Sequence, residues 1–428
     1  MEKLLHYTWK HRLFPLSVLK TTTGEGIEIL DTGLSNQDEG PDFFNAKVKM
    51  DGEVWSGNVE IHLRSSDWYR HGHHLQPEYD SVILHVVEKA DGPVLTSKGE
   101  SIPQLELPIP AVLQNNYEAL LHSDRYPPCY PVVRSLPALS VHSWMNTLQT
   151  ERLEQKTTQL NERVKRCDGN WEDALFVTLA RNFGFGVNSD AFEHWAYTLP
   201  LRAADKHRDS IFQIEALFFG QAGFLEEAPS TDGKNYYDRL QQEYRYLAHK
   251  FSLPPVEAPL WRFLRLRPGN FPQVRIAQLA ALYFQAQGLL SRLLEAETLP
   301  QVFQLLKVTP SAYWSTHYRF GESSPNLPKS LSTDTLRLLV INSVVPFLFA
   351  YGRRKNREEL VQRAETFLEQ LPAEKNHILR LWQECGLEAK HAGDSQALLQ
   401  LKKNYCDTKR CLYCRIGYQY LKRSVERP

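Results

Sequence analysis

The chain has 428 residues, with 50 Lys+Arg against 50 Asp+Glu, 42% hydrophobic residues, 23% charged residues and 6 Cys. These figures exclude a disordered chain, a collagen-like repeat and a disulfide-stapled miniprotein, and leave room for roughly two to three domains of about 150 residues. No run reaches the roughly 18 apolar residues of a membrane span; the longest, residues 344–350, is short and contains Pro346. The N-terminus is polar where a signal peptide needs an apolar centre, so a cytoplasmic protein with no membrane partner is expected.

Residues 1–130 hold 11 Lys+Arg against 19 Asp+Glu, and 8 of the 15 His. The first part is therefore acidic and His-rich, which suits metal-binding or proton-transfer chemistry, while the basic remainder suits an anionic partner.

In chain order, residues 4–14 read as a helix stopping near Pro15. Strand-like runs follow at 26–30, 45–50, 59–63 and 82–87. Asp51-Gly52 lies between the second and third, and both residue types tolerate the positive φ of a two-residue hairpin turn. Residues 94–96 and 104–107 are expected as an edge hairpin. Prolines then crowd residues 103–137, marking a boundary, and from about Leu139 the periodicity turns helical through to residue 385. The expected organisation is an α+β domain over 1–130, a helix plus a mixed sheet, followed by a large all-α region over 131–428.

Chemistry concentrates in the first domain. Gly40-Pro41-Asp42 leads into one strand of the Asp51-Gly52 hairpin, and Glu60-Ile61-His62 lies on the other. Two carboxylates on adjacent strands can hold a hard cation such as Mg²⁺ or Mn²⁺, which acidifies a water and draws charge from a phosphate. This order resembles the PD-(D/E)XK phosphodiesterase superfamily, in which Pro-Asp opens one strand and an acid-X-Lys motif lies on the next. The resemblance implies a restriction-endonuclease-like fold, with Asp42 and Glu60 as metal ligands and His62 in place of the lysine. His titrates near neutral pH and itself binds metals, so the departure implies altered chemistry, a softer metal or lost catalysis. A strict two-residue turn would set Asp42 opposite Ile61, on the wrong face for Glu60. A one-residue bulge is required, and Gly57 is the expected place. The alternative reading is that Asp42 caps a turn and Glu60 sits on a solvated strand face.

Downstream, Asp67 and His71 are four apart and would share a helix face, with His73 or His74 near them. These imidazoles would be auxiliary metal ligands or acid/base groups, whereas His85, in an apolar strand, reads more simply as a hydrogen-bonded core residue. Near the C-terminus Cys406, Cys411 and Cys414 have C-x4-C-x2-C spacing. Such thiolates bind Zn²⁺ or an iron–sulfur cluster, and the fourth ligand would be Cys129, Cys385 or His391. The alternative is three thiols. The layout with Cys129 is similar to helicase-associated nucleases that clamp an iron–sulfur cluster between one early and three late cysteines. Lys402, Lys403, Lys409, Arg410, Arg415, Lys422, Arg423 and Arg427 surround this group, with Tyr405, Tyr413, Tyr418 and Tyr420 between them. That pattern suits phosphate contact and base stacking, or equally a solvated helix end. Arg262, Arg265, Arg267 and Arg353-Arg354-Lys355 are further basic clusters.

Gly-Pro-Asp-Phe at 40–43, Val-Glu-Ile-His at 59–62, Ser-Ser-Asp-Trp at 65–68, Leu-Ala-Arg-Asn-Phe-Gly-Phe at 179–185, Glu-Ala-Leu-Phe-Phe-Gly-Gln-Ala-Gly at 215–223 and Leu-Arg-Pro-Gly-Asn-Phe-Pro at 266–272 resemble a bacterial domain-of-unknown-function family (DUF2851). That resemblance implies no activity. The site residues point to a metal-dependent, nuclease-like phosphodiesterase acting on nucleic acid. The alternatives are a catalytically inactive nucleic-acid-binding or assembly protein with the same fold, and a zinc-dependent hydrolase of a small substrate.

Overall fold

The structure, a computed structural model, describes all residues except 15–18, 37, 200, 208, 227–233, 254–260 and 424–428. Pro15 and Arg427 lie outside the described residues. The chain divides into two compact units. The first comprises Met1–Val141, Cys385–Leu387 and the segment from Leu401 onward; the second comprises His142–Glu384 and Glu388–Gln400.

In the first unit, α1 (Glu2–Lys10) buries Leu4, Leu5, Tyr7, Thr8 and Trp9. It ends four residues before the expected Phe14, where Arg12 adopts φ 50°. The Trp9 indole donates to the Thr32 carbonyl at 3.0 Å and ties the helix to the sheet. The strands are β1 (Leu19–Lys20), β2 (Gly26–Asp31), β3 (Leu34–Ser35), β4 (Phe43–Met50), β5 (Glu53–Arg64), β6 (Val82–Lys89) and β7 (Gln104–Glu106). They form one mixed sheet in the order β1-β2-β4-β5-β6-β7, with β3 beside β4. The β2–β4 and β4–β5 pairs are antiparallel, whereas β5–β6 and β6–β7 are parallel.

Asp51 and Gly52 adopt φ 46° and 90°, the two positive values of a tight hairpin turn whose twist matches its strands. From Met50↔Glu53 to Ala46↔Gly57 the pairing is strict; beyond it Phe43 pairs with Val59. Phe44 and Asn45 therefore oppose Asn58 alone. The expected bulge is present, but it sits on β4 rather than at Gly57. Asn45 carries it at φ 56°, a conformation that asparagine tolerates better than most side chains, and its N–H donates to Asn58 Oδ1 at 3.3 Å. Gly57 serves a different contact. A Cβ there would lie 2.3 Å from Ile83 Cγ2 and 2.9 Å from the Ser81 carbonyl, so glycine lets β6 close on β5.

A parallel pair needs a long crossover. Between β5 and β6 the chain supplies it with α2 (Asp67–Arg70) and two short 3₁₀ turns, His73–Leu75 and Pro77–Ser81. Trp68 plugs this crossover, fully buried with Tyr79, Val82, Val94 and Ile102.

The expected 94–107 hairpin is corrected. Leu95 and Ser101 form an isolated antiparallel bridge, but β7 leaves it and pairs parallel with β6. Two helices also occur in the proline-dense stretch, α3 (Ala111–His122) and α4 (Tyr130–Val133). Pro110 stands just before the first and Pro131 in the first turn of the second, where a missing N–H costs no hydrogen bond. The segment from Leu401 adds a π-helical turn, Leu401–Cys406, a short turn, Cys411–Tyr413, and a last helix, Arg415–Leu421.

Among its described residues the second unit is mainly helical, with a two-stranded ribbon, His317–Arg319 with Glu322–Ser323, and an isolated bridge between Pro372 and His391. Trp171–Phe183, Ile211–Gln221 and Pro272–Gln285 pack their apolar faces around Phe176, Trp195, Phe218 and Leu279. The helical run Thr333–Lys355 is apolar and long enough to cross a membrane, but 72% of its apolar window is buried inside the protein, as in a core helix.

Candidate metal centre

The bulge decides the site. Once the register slips by one, Asp42, the residue before β4, comes opposite Glu60 on β5. The two are locked reciprocally: the Asp42 N–H donates to Glu60 Oε2 at 3.0 Å, and the Ile61 N–H donates to Asp42 Oδ2 at 3.0 Å. His62 is two residues beyond Glu60 and shares its face. His71 and His73 arrive from the crossover.

Glu60 Oε1, the oxygen not held by Asp42, lies 3.6 Å from His62 Nε2 and 3.4 Å from His73 Nε2. His62 Nε2 lies 3.1 Å from His71 Nδ1. The ligand nitrogens of His62, His71 and His73 all lie within 4.8 Å of one another. A tetrahedral metal with ~2.0–2.1 Å bonds spaces its donors about 3.4 Å apart, close to the His62–His71, Glu60–His62 and Glu60–His73 separations. His71 is exposed while Glu60, His62 and His73 are buried, leaving the centre open on one side.

A second layer orients these rings. His73 Nδ1 lies 3.1 Å from Gln76 Oε1 and must be the protonated nitrogen, which presents the Nε2 lone pair to Glu60. His62 Nδ1 contacts His85 Nε2 at 2.9 Å; with Nδ1–H as donor, His62 Nε2 is likewise left as a ligand. His73 also stacks on the Tyr79 ring, centroids 3.9 Å apart.

The electrostatics follow from burial. It is the main cause that pushes Glu60 up to about 9, followed by the Asp42 carboxylate, and it raises Asp42 as well. Burial, and then the neighbouring imidazoles, drive His62 down to about 2; burial likewise lowers His85 to about 4 and also lowers His73. Neutral imidazoles facing a carboxyl that holds its proton are not ion pairs, despite the short distances. A cation between them would satisfy all of these groups at once.

Asp42, Glu60, His62, His71 and His73 are thus brought together, whereas Asp67 is turned elsewhere: its carboxylate accepts from the Arg64 N–H at 3.2 Å and pairs with Arg70 at 2.9 Å. His74 packs on the Tyr69 ring. Sequence reasoning missed His6, whose Nε2 on α1 stands 3.6 Å from Asp42 Oδ2, and underrated His85. Nothing in local spacing relates residue 6 to residue 42, because only helix-on-sheet packing brings them together.

Cys129, Cys406, Cys411 and Cys414 all belong to the first unit, whereas His391 lies in the second and faces Asp394. Several basic residues of the C-terminal segment have internal partners. Lys402 pairs with Asp407 at 2.7 Å, Lys409 donates to the Leu121 carbonyl, and Arg410 lies over the Tyr413 ring at 5.1 Å. Arg262, Arg265, Arg267, Arg353, Arg354 and Lys355 are exposed on the second unit.

The fold and this cluster define a protein with an α+β unit, bearing a carboxylate–histidine pocket at the base of a bulged hairpin, and a helix-rich second unit. The chain belongs to the family described as "Protein of unknown function (DUF2851)", whose family model matches residues 2–377. No curated protein and no solved structure matches it.

Proposed function

We propose that the first unit is a metal-dependent phosphodiesterase acting on nucleic acid, with Glu60, His62, His71 and His73 holding the metal and Asp42 beside them. The observation that carries this reading is the slipped register, which sets Asp42 opposite Glu60 at the base of the hairpin as the PD-(D/E)XK pattern requires. The order of helix, hairpin, crossover and parallel strand supports the same restriction-endonuclease-like reading.

Imidazole donors favour Mn²⁺ or Zn²⁺ over Mg²⁺, which prefers oxygen. Such a metal would supply Lewis acidity for a phosphate oxygen and an acidified water. The chain's own groups would do the rest. Glu60 is held by the Asp42 N–H so that its other oxygen would be free for the metal, and His85 and Gln76 meet the Nδ1 atoms of His62 and His73, leaving each Nε2 for a ligand. Asp42 and His6 stand beside the centre as a pair able to exchange a proton with the attacking or leaving oxygen.

The test is cleavage of single- and double-stranded DNA and RNA by the full chain with Mg²⁺, Mn²⁺ or Zn²⁺, beside the Glu60→Gln variant. Cleavage that requires Mn²⁺ or Zn²⁺ and is lost in the variant is expected. Salt-sensitive binding without turnover under every metal would instead assign a nucleic-acid-binding protein. The His-rich donor set also suits a zinc hydrolase of a small substrate; hydrolysis of small esters with no cleavage of polymers would select that reading.

A further inference from the structure

A cavity of about 610 Å³ opens within the second unit, inside the range of roughly 300–1,000 Å³ that small-molecule pockets occupy. The helix Ala138–Arg166 ends at this cavity with Arg166, and Cys167, Asp168 and Asn170 follow in the next turn. Asp168 and Gly169 adopt φ 52° and 82° there. The Asn170 side chain then caps Trp171–Phe183 by accepting from the Glu172 and Asp173 N–H groups, and its amide donates to Asp173 Oδ2 at 2.8 Å. Tyr197 comes from Ser189–Thr198 and Arg202 from Leu201–Asp205, while Lys206 directly follows that helix and Phe251 directly follows Lys234–Lys250.

The lining offers three kinds of surface. Val177, Ala196, Leu199 and Ala203, all buried, supply an apolar one. Arg166, Arg202 and Lys206 supply three exposed cations. The Arg166 guanidinium lies over the Tyr197 ring, 3.9 Å from its centroid, and the Lys206 ammonium over the Phe251 ring at 5.7 Å. A cation resting on a ring face stands beside a flat apolar platform and keeps N–H groups for an anion. Asp168 and Asp173 supply acceptors on the same wall. The Tyr197 hydroxyl is buried and meets no hydrogen-bond partner among the described residues, an unmet demand that a polar ligand group would answer. Burial, and then Asp173, push the Cys167 thiol up to about 11, so it keeps its proton and forms part of the wall rather than a nucleophile.

From this combination of cavity, cations and rings we propose that the second unit binds a nucleoside phosphate, with the phosphate on Arg166, Arg202 and Lys206 and the base against Tyr197 and Phe251. A simple anion would use the cations and leave the rings and the apolar surface idle. A fatty acid would use both but present no donor to Asp168 and Asp173. A nucleoside phosphate matches all three surfaces: its charge meets the cations, its base stacks on the rings, and its ring amines or ribose hydroxyls donate to the carboxylates. Every residue of this site belongs to the second unit, so the proposal stands whether or not the carboxylate–histidine pocket is catalytic.

The experiment is calorimetric titration of the full chain, in EDTA, with the 5′-mono- and triphosphates of adenosine, guanosine, cytidine and uridine, beside the four nucleosides, inorganic phosphate and octanoate. Wild type, Arg202→Ala, Lys206→Ala and His73→Ala are compared; Arg202 and Lys206 are exposed, so their removal spares the core. At least one nucleotide is expected to bind, about tenfold or more tighter than its nucleoside or inorganic phosphate, with a loss of about tenfold in Arg202→Ala and in Lys206→Ala and none in His73→Ala. A second readout needs no variant: the bound nucleotide should slow acetylation of Lys206 by acetic anhydride, followed by mass spectrometry, and leave the exposed Lys307 unchanged. The proposal is overturned if no nucleotide binds, or if inorganic phosphate or octanoate binds as tightly as the nucleotides. It is equally overturned if a nucleotide binds with Lys206 unprotected and with the same affinity in Arg202→Ala and Lys206→Ala.

Discussion

The main-chain N–H of Asp42 donates to Glu60 Oε2 at 3.0 Å, and this contact turns Oε1 of the same carboxyl toward His62 and His73. A single backbone hydrogen bond thus assigns different tasks to the two oxygens of one side chain. It exists because β4 carries one residue more than β5 between Ala46 and Phe43. Register and site chemistry are therefore one problem.

Inserting one alanine between Phe43 and Phe44 should carry the register one residue further, set Asp42 opposite Ile61 and break the lock. The hairpin should still form, since its turn and the pairs from Met50↔Glu53 to Ala46↔Gly57 are untouched. Calorimetric titration with Mn²⁺ or Zn²⁺ should then show at least a tenfold loss of affinity at the carboxylate–histidine pocket. Wild-type affinity in the insertion variant would sever the link between register and site. Asn45→Val, which forces a β-branched residue to φ 56°, should cost about 1–2 kcal/mol in urea unfolding, and Asn45→Gly less than about 1 kcal/mol.

The orienting layer makes a graded prediction for metal affinity. Glu60→Gln and His73→Ala remove ligand atoms and should abolish binding at this pocket or weaken it by more than a hundredfold. His85→Ala removes only the partner of His62 Nδ1 and should weaken it by about 10–100-fold. His74→Ala, on the Tyr69 ring, should leave it unchanged. If His74→Ala weakened metal binding as much as His85→Ala, the assignment of ligands and supports would fail.

What could be read from sequence at this site was what local chemistry encodes. Asp51-Gly52 announces its turn, the alternation of Ala46, Val48 and Met50 announces a half-buried strand, and Glu60-x-His62 announces a shared face. The need for a bulge also followed from counting residues. Its place did not, because a bulge settles where the backbone can adopt positive φ, and Asn45 serves as well as a glycine. Gly57 looked like the bulge because a strand glycine has two uses, and the contact with Ile83 that selects the other use is not local. His6 and the parallel pairing of β7 were hidden for the same reason. Both depend on tertiary packing of segments whose own patterns are ambiguous.

Gly57→Ala should destabilise the first unit by about 1–3 kcal/mol, the usual cost of overpacking a close contact, because the new methyl would meet Ile83 Cγ2 at 2.3 Å. Ile83→Ala in the same chain removes that atom. The double variant should recover part of the loss, with the Ser81 carbonyl at 2.9 Å keeping recovery incomplete. A double-mutant cycle by urea unfolding reads the coupling directly. Strict additivity would show that glycine at 57 answers some other demand.

In the second unit, Glu215 is 1% exposed and accepts from the Tyr236 hydroxyl at 2.6 Å. Burial pushes its carboxyl from an ordinary 4.5 up to about 7. Below the ordinary value the folded and unfolded chains both hold the proton, and nothing is lost. Between these two values the unfolded chain releases the proton while the folded one keeps it, so stability falls as pH rises, by about 1.4 kcal/mol per pH unit, and levels off above the folded value. The full loss is about 3 kcal/mol. Glu215→Gln keeps an acceptor for Tyr236 and has no proton to lose, so it should match the wild type at pH 4.5 and exceed it at pH 8 by that amount. Urea midpoints measured from pH 4.5 to 8 decide the matter: profiles that stay parallel would mean that Glu215 ionises as easily in the folded protein as in the unfolded chain.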